Sequence, residues 1–224
     1  MQLQNPSQIL KSELRGTIAS DSYNCFSTFN YLSYQEESRN TFGSLSILND
    51  ETLAPKKSID YTLEEDQTIV LIPLVGALDV IYLDTSEFVT TNQIRVFSAK
   101  KGTHFTISNP YEKELINFIQ LRFRSTTIIS ETISFTLENR NSIISITQNE
   151  CFSIGACILD ARSEGFHSLK NKNYGVFAFV LSGAFEFQNR LIENRDGLKI
   201  WNIDSVAFEA LSENAIILII DVLL

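Results

Sequence analysis

Histidine is scarce in this chain: His104 and His167 are the only two in 224 residues. A metal centre built chiefly from imidazoles would need ligands the sequence does not have. The three cysteines, Cys25, Cys151 and Cys157, include no CxxC pair, and such an odd, scattered set reads as reduced, inert thiols rather than a disulfide framework. Basic runs are also missing. Eighteen Lys and Arg against 27 Asp and Glu leave a net charge of −9, which argues against a phosphate-tracking surface and an anionic membrane partner, so no direct nucleic-acid ligand is expected. No apolar run reaches the ~20 residues that span a bilayer. Met1 to Leu10 has no basic segment followed by an apolar one, and a cytoplasmic protein without membrane contact is expected. GxSxG, a glycine-rich phosphate loop, HExxH and an EF-hand loop are all absent. A sustained 3.6-residue apolar period is lacking too, except over Pro6 to Arg15, where a short helix is predicted.

What is present is a globular composition, 44% hydrophobic with 20% charged, rich in β-branched and aromatic runs. TIVLIPLV, ALDVIYL, IRVFSA, LINFIQLRF, VFAFVL and AIILIIDVLL are short and punctuated by Asn49-Asp50, Lys101-Gly102, Asn109-Pro110 and Asp196-Gly197, the pattern of an antiparallel all-β fold. Two segments match in outline. Ile69–Leu83 and Val176–Arg190 each read as an apolar strand, Gly-Ala, then an alternating strand. A repeat of about a hundred residues predicts a duplicated β-domain, with residues 1–130 as an N-terminal domain and 131–224 as a C-terminal one. Sixteen phenylalanines follow strand alternation and are expected in the core.

Strand, Gly-Ala turn, strand and a loop with a second Gly is how a cupin jelly roll is written, and the chain resembles the pirin family of bicupins. FGSLSILNDETLAPKKSIDYTLEEDQTIVLIPLVGAL (Phe42 to Leu78) is similar to that family's FGxLxxxNxD opening, its HxHxDxE segment and its strand ending in EGAL. VFSAKKGTHFTISNP (Val96 to Pro110) is similar to its SAGxGxxHxE motif, and FSIGACILDARSEGFHSL through IIDVLL resembles its C-terminal domain. The resemblance implies two tandem antiparallel β-barrel domains packed together, with few short helices.

Members of that family hold iron or another divalent metal with three histidines and one glutamate. Anchored on Gly76, the first two ligand positions fall at Thr62 and Glu64; anchored on Gly102 and Asn109, the other two fall at Phe105 and Ile107. Two apolar groups and a threonine make a poor cation site, so no metal and no cofactor is expected. His104 stands one residue from the family position and is expected on the opposite strand face, inward only through a bulge. In YTLEEDQ, Glu65 and Asp66 read as the solvated turn before a strand. Glu64 is expected to face inward beside Phe105 and Ile107, its pKa raised by desolvation unless Tyr61, Thr62, Lys100 or His104 pairs with it. In the second half Asn171, Asn173, Val176 and Val206 occupy the corresponding ligand places, His167 reads as a rim residue, and Trp201 as a packed interdomain aromatic.

Three functions follow from the resemblance. The first is a metal-free bicupin with a lost metal site, holding a small organic ligand in its N-terminal barrel or acting as a protein-interaction module, with Thr62, Glu64, Phe105, Ile107, His104 and Lys100 as the cavity set. The second is a metal-dependent oxidoreductase resembling quercetin 2,3-dioxygenase; the third is a transcription cofactor acting through protein contacts. The balance favours binding over catalysis, with monomer and homodimer both open.

Overall fold

The computed structural model describes residues 5–125 and 127–224. In chain order its strands are β1 (Ser7–Leu10), β2 (Gly16–Ala19), β3 (Tyr23–Ser27), β4 (Leu45–Leu53), β5 (Ser58–Thr62), β6 (Gln67–Val75), β7 (Leu78–Tyr82), β8 (Thr85–Val89), β9 (Gln93–Ala99), β10 (His104–Ser108), β11 (Ile116–Arg124), β12 (Ser130–Ser134), β13 (Ile144–Gln148), β14 (Phe152–Leu159), β15 (Glu164–Ser168), β16 (Tyr174–Ser182), β17 (Ala184–Phe187), β18 (Leu191–Glu193), β19 (Gly197–Ile200), β20 (Ser205–Ala210) and β21 (Ala215–Leu223). The only helical pieces among the described residues are two three-residue 3₁₀ turns. The fold is all-β, as the β-branched runs predict.

The chain forms two compact units. The N-unit comprises Gly16–Thr41 and Leu45–Phe135; the C-unit comprises the residues up to Arg15, Phe42–Ser44 and Thr136–Leu224. Each is a pair of antiparallel sheets. In the N-unit a seven-stranded sheet, β12-β9-β6-β11-β4-β3-β2, accompanies a four-stranded one, β5-β10-β7-β8. In the C-unit the orders are β1-β19-β16-β21-β14-β13 and β15-β20-β17-β18. The segments β9-β6-β11-β4 and β19-β16-β21-β14 match strand for strand, as do the two small sheets, so the sequence repeat is a topological one. At its centre β6 and β16 each end on a glycine in the left-handed region, Gly76 (φ 75°) and Gly183 (φ 83°), which lets the chain reverse at once into β7 and β17.

The first strand departs from a linear division at residue 130. β1 pairs antiparallel with β19, Ser7 opposite Ile200 through Leu10 opposite Gly197, so this strand belongs to the C-unit and the N-unit starts at Gly16. The helix predicted over Pro6 to Arg15 is therefore a strand and a 3₁₀ turn (Ser12–Leu14). An open ladder on β19 satisfies β1's backbone groups, and tertiary pairing overrides a weak local period. At the other border β12 continues to Ser134 and pairs with β9 of the N-unit. The N-unit core joins Ile69, Leu71, Leu78, Val80, Phe97, Phe105, Ile107 and Phe118 from both sheets. The C-unit core joins Val176, Ala178, Phe185, Phe187, Val206, Phe208 and Ile217.

Candidate functional site

The inward face of β11 changes character along its length. Ile116 and Phe118 lie in the apolar core, and the next two side chains on that face are Gln120 and Arg122, 0% and 5% exposed. Opposite them on β4, Asn49 and Glu51 are fully buried, held in place by a register that sets Gln120 against Asn49 and Phe118 against Glu51. A patch this polar inside a sandwich has to be hydrogen-bonded.

Most of it is. Tyr23 on β3 donates its hydroxyl to Glu51 Oε2 at 2.7 Å, and Tyr61 on β5 donates to the same oxygen. Gln120 Nε2 donates to Glu51 Oε1 at 3.0 Å, while Gln120 Oε1 accepts from Arg122 Nε. A continuous polar chain thus runs from Arg122 through Gln120 to Glu51 and two tyrosines. The Arg122 guanidinium lies over the rings of Tyr61 and Phe105, 5.2 and 5.6 Å from their centroids, and those rings are themselves stacked at 4.8 Å. One group stays unsatisfied: Arg122 Nη2 is buried without a hydrogen-bond partner.

Burial raises the Glu51 carboxyl above its ordinary pKa; its tyrosine donors and the Arg122 charge pull the other way without overturning that. Desolvation, and then the Glu51 charge, raise the Tyr61 and Tyr23 hydroxyls as well, and push Tyr31 up to about 12. Burial likewise takes the Cys25 thiol up to about 12, so it is an inert neighbour and no nucleophile.

Beside this chain a cavity of about 800 Å³ opens in the N-unit. Tyr23, Tyr31, Tyr61, Gln67 and Arg122 form its inner wall, with Asp60, Glu64, Glu65 and Arg124 toward its exposed edge. Arg124 Nε donates to both Glu65 oxygens at 3.2 Å.

The residues predicted from the family spacing divide between two faces. Phe105 and Ile107 point inward, 2% and 0% exposed, whereas Thr62, Glu64, His104 and Lys100 are all exposed. The β5–β10 register pairs Thr62 with His104 and Tyr61 with Phe105. The inward positions opposite Phe105 and Ile107 are therefore Tyr61 and Ile59, with Leu63 (1% exposed) beyond them. Thr62 Oγ1 and His104 Nδ1 meet at 2.8 Å on the outer face. Thr62 and Glu64, though exposed, both line the cavity, whereas Phe105, Ile107, His104 and Lys100 are not part of that lining. A one-residue slip in a strand exchanges its two faces, and that slip puts Tyr61 where Thr62 was expected; the buried carboxylate comes from another strand, Glu51 on β4.

Asp66 accepts a hydrogen bond from the Lys101 amide at 2.8 Å, tying the acidic turn to the neighbouring loop. In the C-unit His167 Nε2 meets Asp221 Oδ1 at 2.7 Å, and Ser153 donates to Asp221 Oδ2 at 2.8 Å. Trp201 packs on Phe42 of its own unit, centroids 6.2 Å apart.

A metal would need at least three ligating side chains converging. Among the described residues no group of three or more His, Cys, Asp or Glu does so, and the inward positions of β5 and β10 are Ile59, Tyr61, Phe105 and Ile107. This donor set does not fit a metal.

The comparisons with known proteins agree with the fold. Residues 135–222 match the quercetinase C-terminal cupin domain. The structure is similar to bacterial pirin YhhW from Escherichia coli in complex with nickel(II), with a TM-score of 0.85 at 17% identity over 97% of this chain and 99% of that one. It is also similar to quercetin 2,3-dioxygenase from Acinetobacter baumannii, with a TM-score of 0.75 at 10% identity over 96% and 85%. AerE from Microcystis aeruginosa matches with a TM-score of 0.63 at 16% identity over 94% and 97%. No curated protein sequence matches the chain, and no helix among the described residues is long and apolar enough to cross a membrane. With residues 135–222 matching a C-terminal cupin domain and the fold shared along nearly the whole chain, the protein is similar to the pirin-like cupin proteins.

Proposed function

We propose that the protein is a pirin-like bicupin whose metal site is degenerate and whose N-unit cavity binds a small organic molecule. One observation carries the reading: where β5 and β10 face each other inside the N-unit, the side chains are Ile59, Tyr61, Phe105 and Ile107, while an open cavity of about 800 Å³ lies beside them. Desolvating a divalent cation against such groups costs far more than they return. The volume suits a ligand of drug-like or smaller size, and the wall mixes tyrosine and isoleucine side chains with polar and charged ones. The dioxygenase chemistry of a neighbour such as the Acinetobacter protein does not transfer, since the cation that would activate dioxygen has no ligand set here.

The test is the metal content of protein purified without chelator or histidine tag, followed by titration with Fe(II), Mn(II) and Ni(II) and a thermal-shift screen of small organic molecules. The expected result is substoichiometric metal, no saturable metal binding at micromolar concentration, and stabilisation by a subset of the organic compounds. Stoichiometric, saturable metal binding would overturn the reading in favour of an oxygenase.

A further inference from the structure

One unsatisfied group in the N-unit is a cation. Arg122 is 5% exposed, its Nη2 has no hydrogen-bond partner, and its Nε is committed to a neutral amide oxygen, that of Gln120. No carboxylate pairs with it directly: the nearest in the polar chain, Glu51, is reached only through Gln120. The faces of Tyr61 and Phe105 supply part of the missing negative potential. Aromatic rings are weak counterions, and a buried guanidinium ordinarily has an anionic partner. Arg122 also lines the cavity.

We propose that the N-unit cavity is a receptor for a small aryl carboxylate, with Arg122 as its countercharge. The inference rests on the small-molecule reading above and names the chemistry of the ligand. A carboxylate is the natural counterion of a guanidinium and accepts a charge-assisted hydrogen bond from it. The adjoining walls, Tyr31, Tyr61, Ile47 and Ile59, suit a ring attached to that carboxylate.

The acidic residues at the cavity edge do not reverse this preference. Asp60 and Glu64 are exposed, and Glu65 is occupied by Arg124. A charge at a given distance acts about four times more strongly at an effective dielectric of ~20 than in water at ~80, and mobile ions screen the exposed ones further. The buried guanidinium therefore dominates recognition, while the rim slows entry of anions at low salt. Where a metal-binding cupin would set a metal ion against its ligands, this chain sets an organic cation against two aromatic rings.

The experiment is calorimetric titration of the full chain with benzoate, phenylacetate and 4-hydroxybenzoate, each against its uncharged amide, and of the Arg122→Gln and Arg122→Lys variants. At least one acid is expected to bind the wild-type chain roughly 10- to 100-fold more tightly than its amide, as the loss of one charge-assisted contact implies. Arg122→Gln should lose that preference, and Arg122→Lys should keep part of it. The comparison of acid with amide on the wild-type chain needs no variant, so it stands even if Arg122→Gln fails to fold. Equal binding of acid and amide overturns the proposal and leaves the small-molecule reading intact, as does neutral ligands alone stabilising the protein in the thermal-shift screen. Absence of binding by every acid, every amide and every screened compound overturns both.

Discussion

Replacing Glu51 by glutamine tests the buried polar chain at its centre. The side chain keeps its shape, still accepts at one terminus, and can donate to a tyrosine oxygen once that hydroxyl rotates. Well below pH 4.5, where the wild-type carboxyl is protonated in folded and unfolded chain alike, the substitution should therefore change stability by no more than about 1 kcal/mol. Burial raises the folded-state pKa of Glu51 above the ordinary value of 4.5. As pH rises past that value the unfolded chain releases a proton that the folded chain retains, so the wild-type protein loses stability by up to about 1.4 kcal/mol per pH unit, until the folded pKa is reached and the loss levels off. Glutamine does not titrate, so the stability of Glu51→Gln relative to wild type should climb with pH along that slope, other carboxylates cancelling in the difference. Hydrogen-exchange protection of the β4 and β11 amides, corrected for intrinsic exchange at each pH, reads this in the N-unit alone. A flat difference from pH 4.5 to neutrality, or one that falls, would mean that the Tyr23, Tyr61 and Gln120 donors hold Glu51 ionised and that the argument from burial is wrong.

Other substitutions probe the scaffold around the site. Phe105→Ala removes a ring stacked on Tyr61 and set edge-on to Phe97, and thermal or urea denaturation should show a loss of about 3–5 kcal/mol. Gly76→Ala places a Cβ 2.8 Å from Ile116 Cγ2 at a φ of 75°, and the same assay should register about 1–3 kcal/mol. Asp196→Ala leaves the Lys11 ammonium and the Ser12 and Glu193 amides without their carboxylate. About 1–3 kcal/mol should be lost from the C-unit, followed by fluorescence of Trp201, the chain's one tryptophan, which lies in that unit. Thr62→Ala together with His104→Ala removes only an exposed outer-face contact, and stability should stay within about 0.5 kcal/mol of wild type.

How much of the site was legible depended on what each residue's neighbours in sequence reveal. Phe105 and Ile107 were readable as inward because β10 alternates cleanly. Thr62 and Glu64 were not, because YTLEE offers two alternations one residue apart, and only the pairing of Tyr61 with Phe105 chooses between them. Asn49 with Glu51 and Gln120 with Arg122 do leave a signal: polar residues two apart in LSILNDETL and LINFIQLRF. The same pattern describes the wet face of any half-buried strand, so a carboxylate with no accessible surface looked like an ordinary exposed one.

By itself the sequence determined the chemistry of the chain: an all-β fold from its β-branched runs, a duplication from its paired Gly-Ala turns, a resemblance to pirins from its ordered motifs, and a shortage of imidazole. Those follow from composition and local spacing, which the chain carries whatever its partners. Only the tertiary structure decided that β1 closes onto β19, that Tyr61 rather than Thr62 faces Phe105, and that Arg122 and Glu51 share one buried chain of hydrogen bonds beside a cavity. Each of these depends on which strand lies beside which and in what register. Residues far apart in sequence set that register, where a shift of a single position exchanges core for solvent.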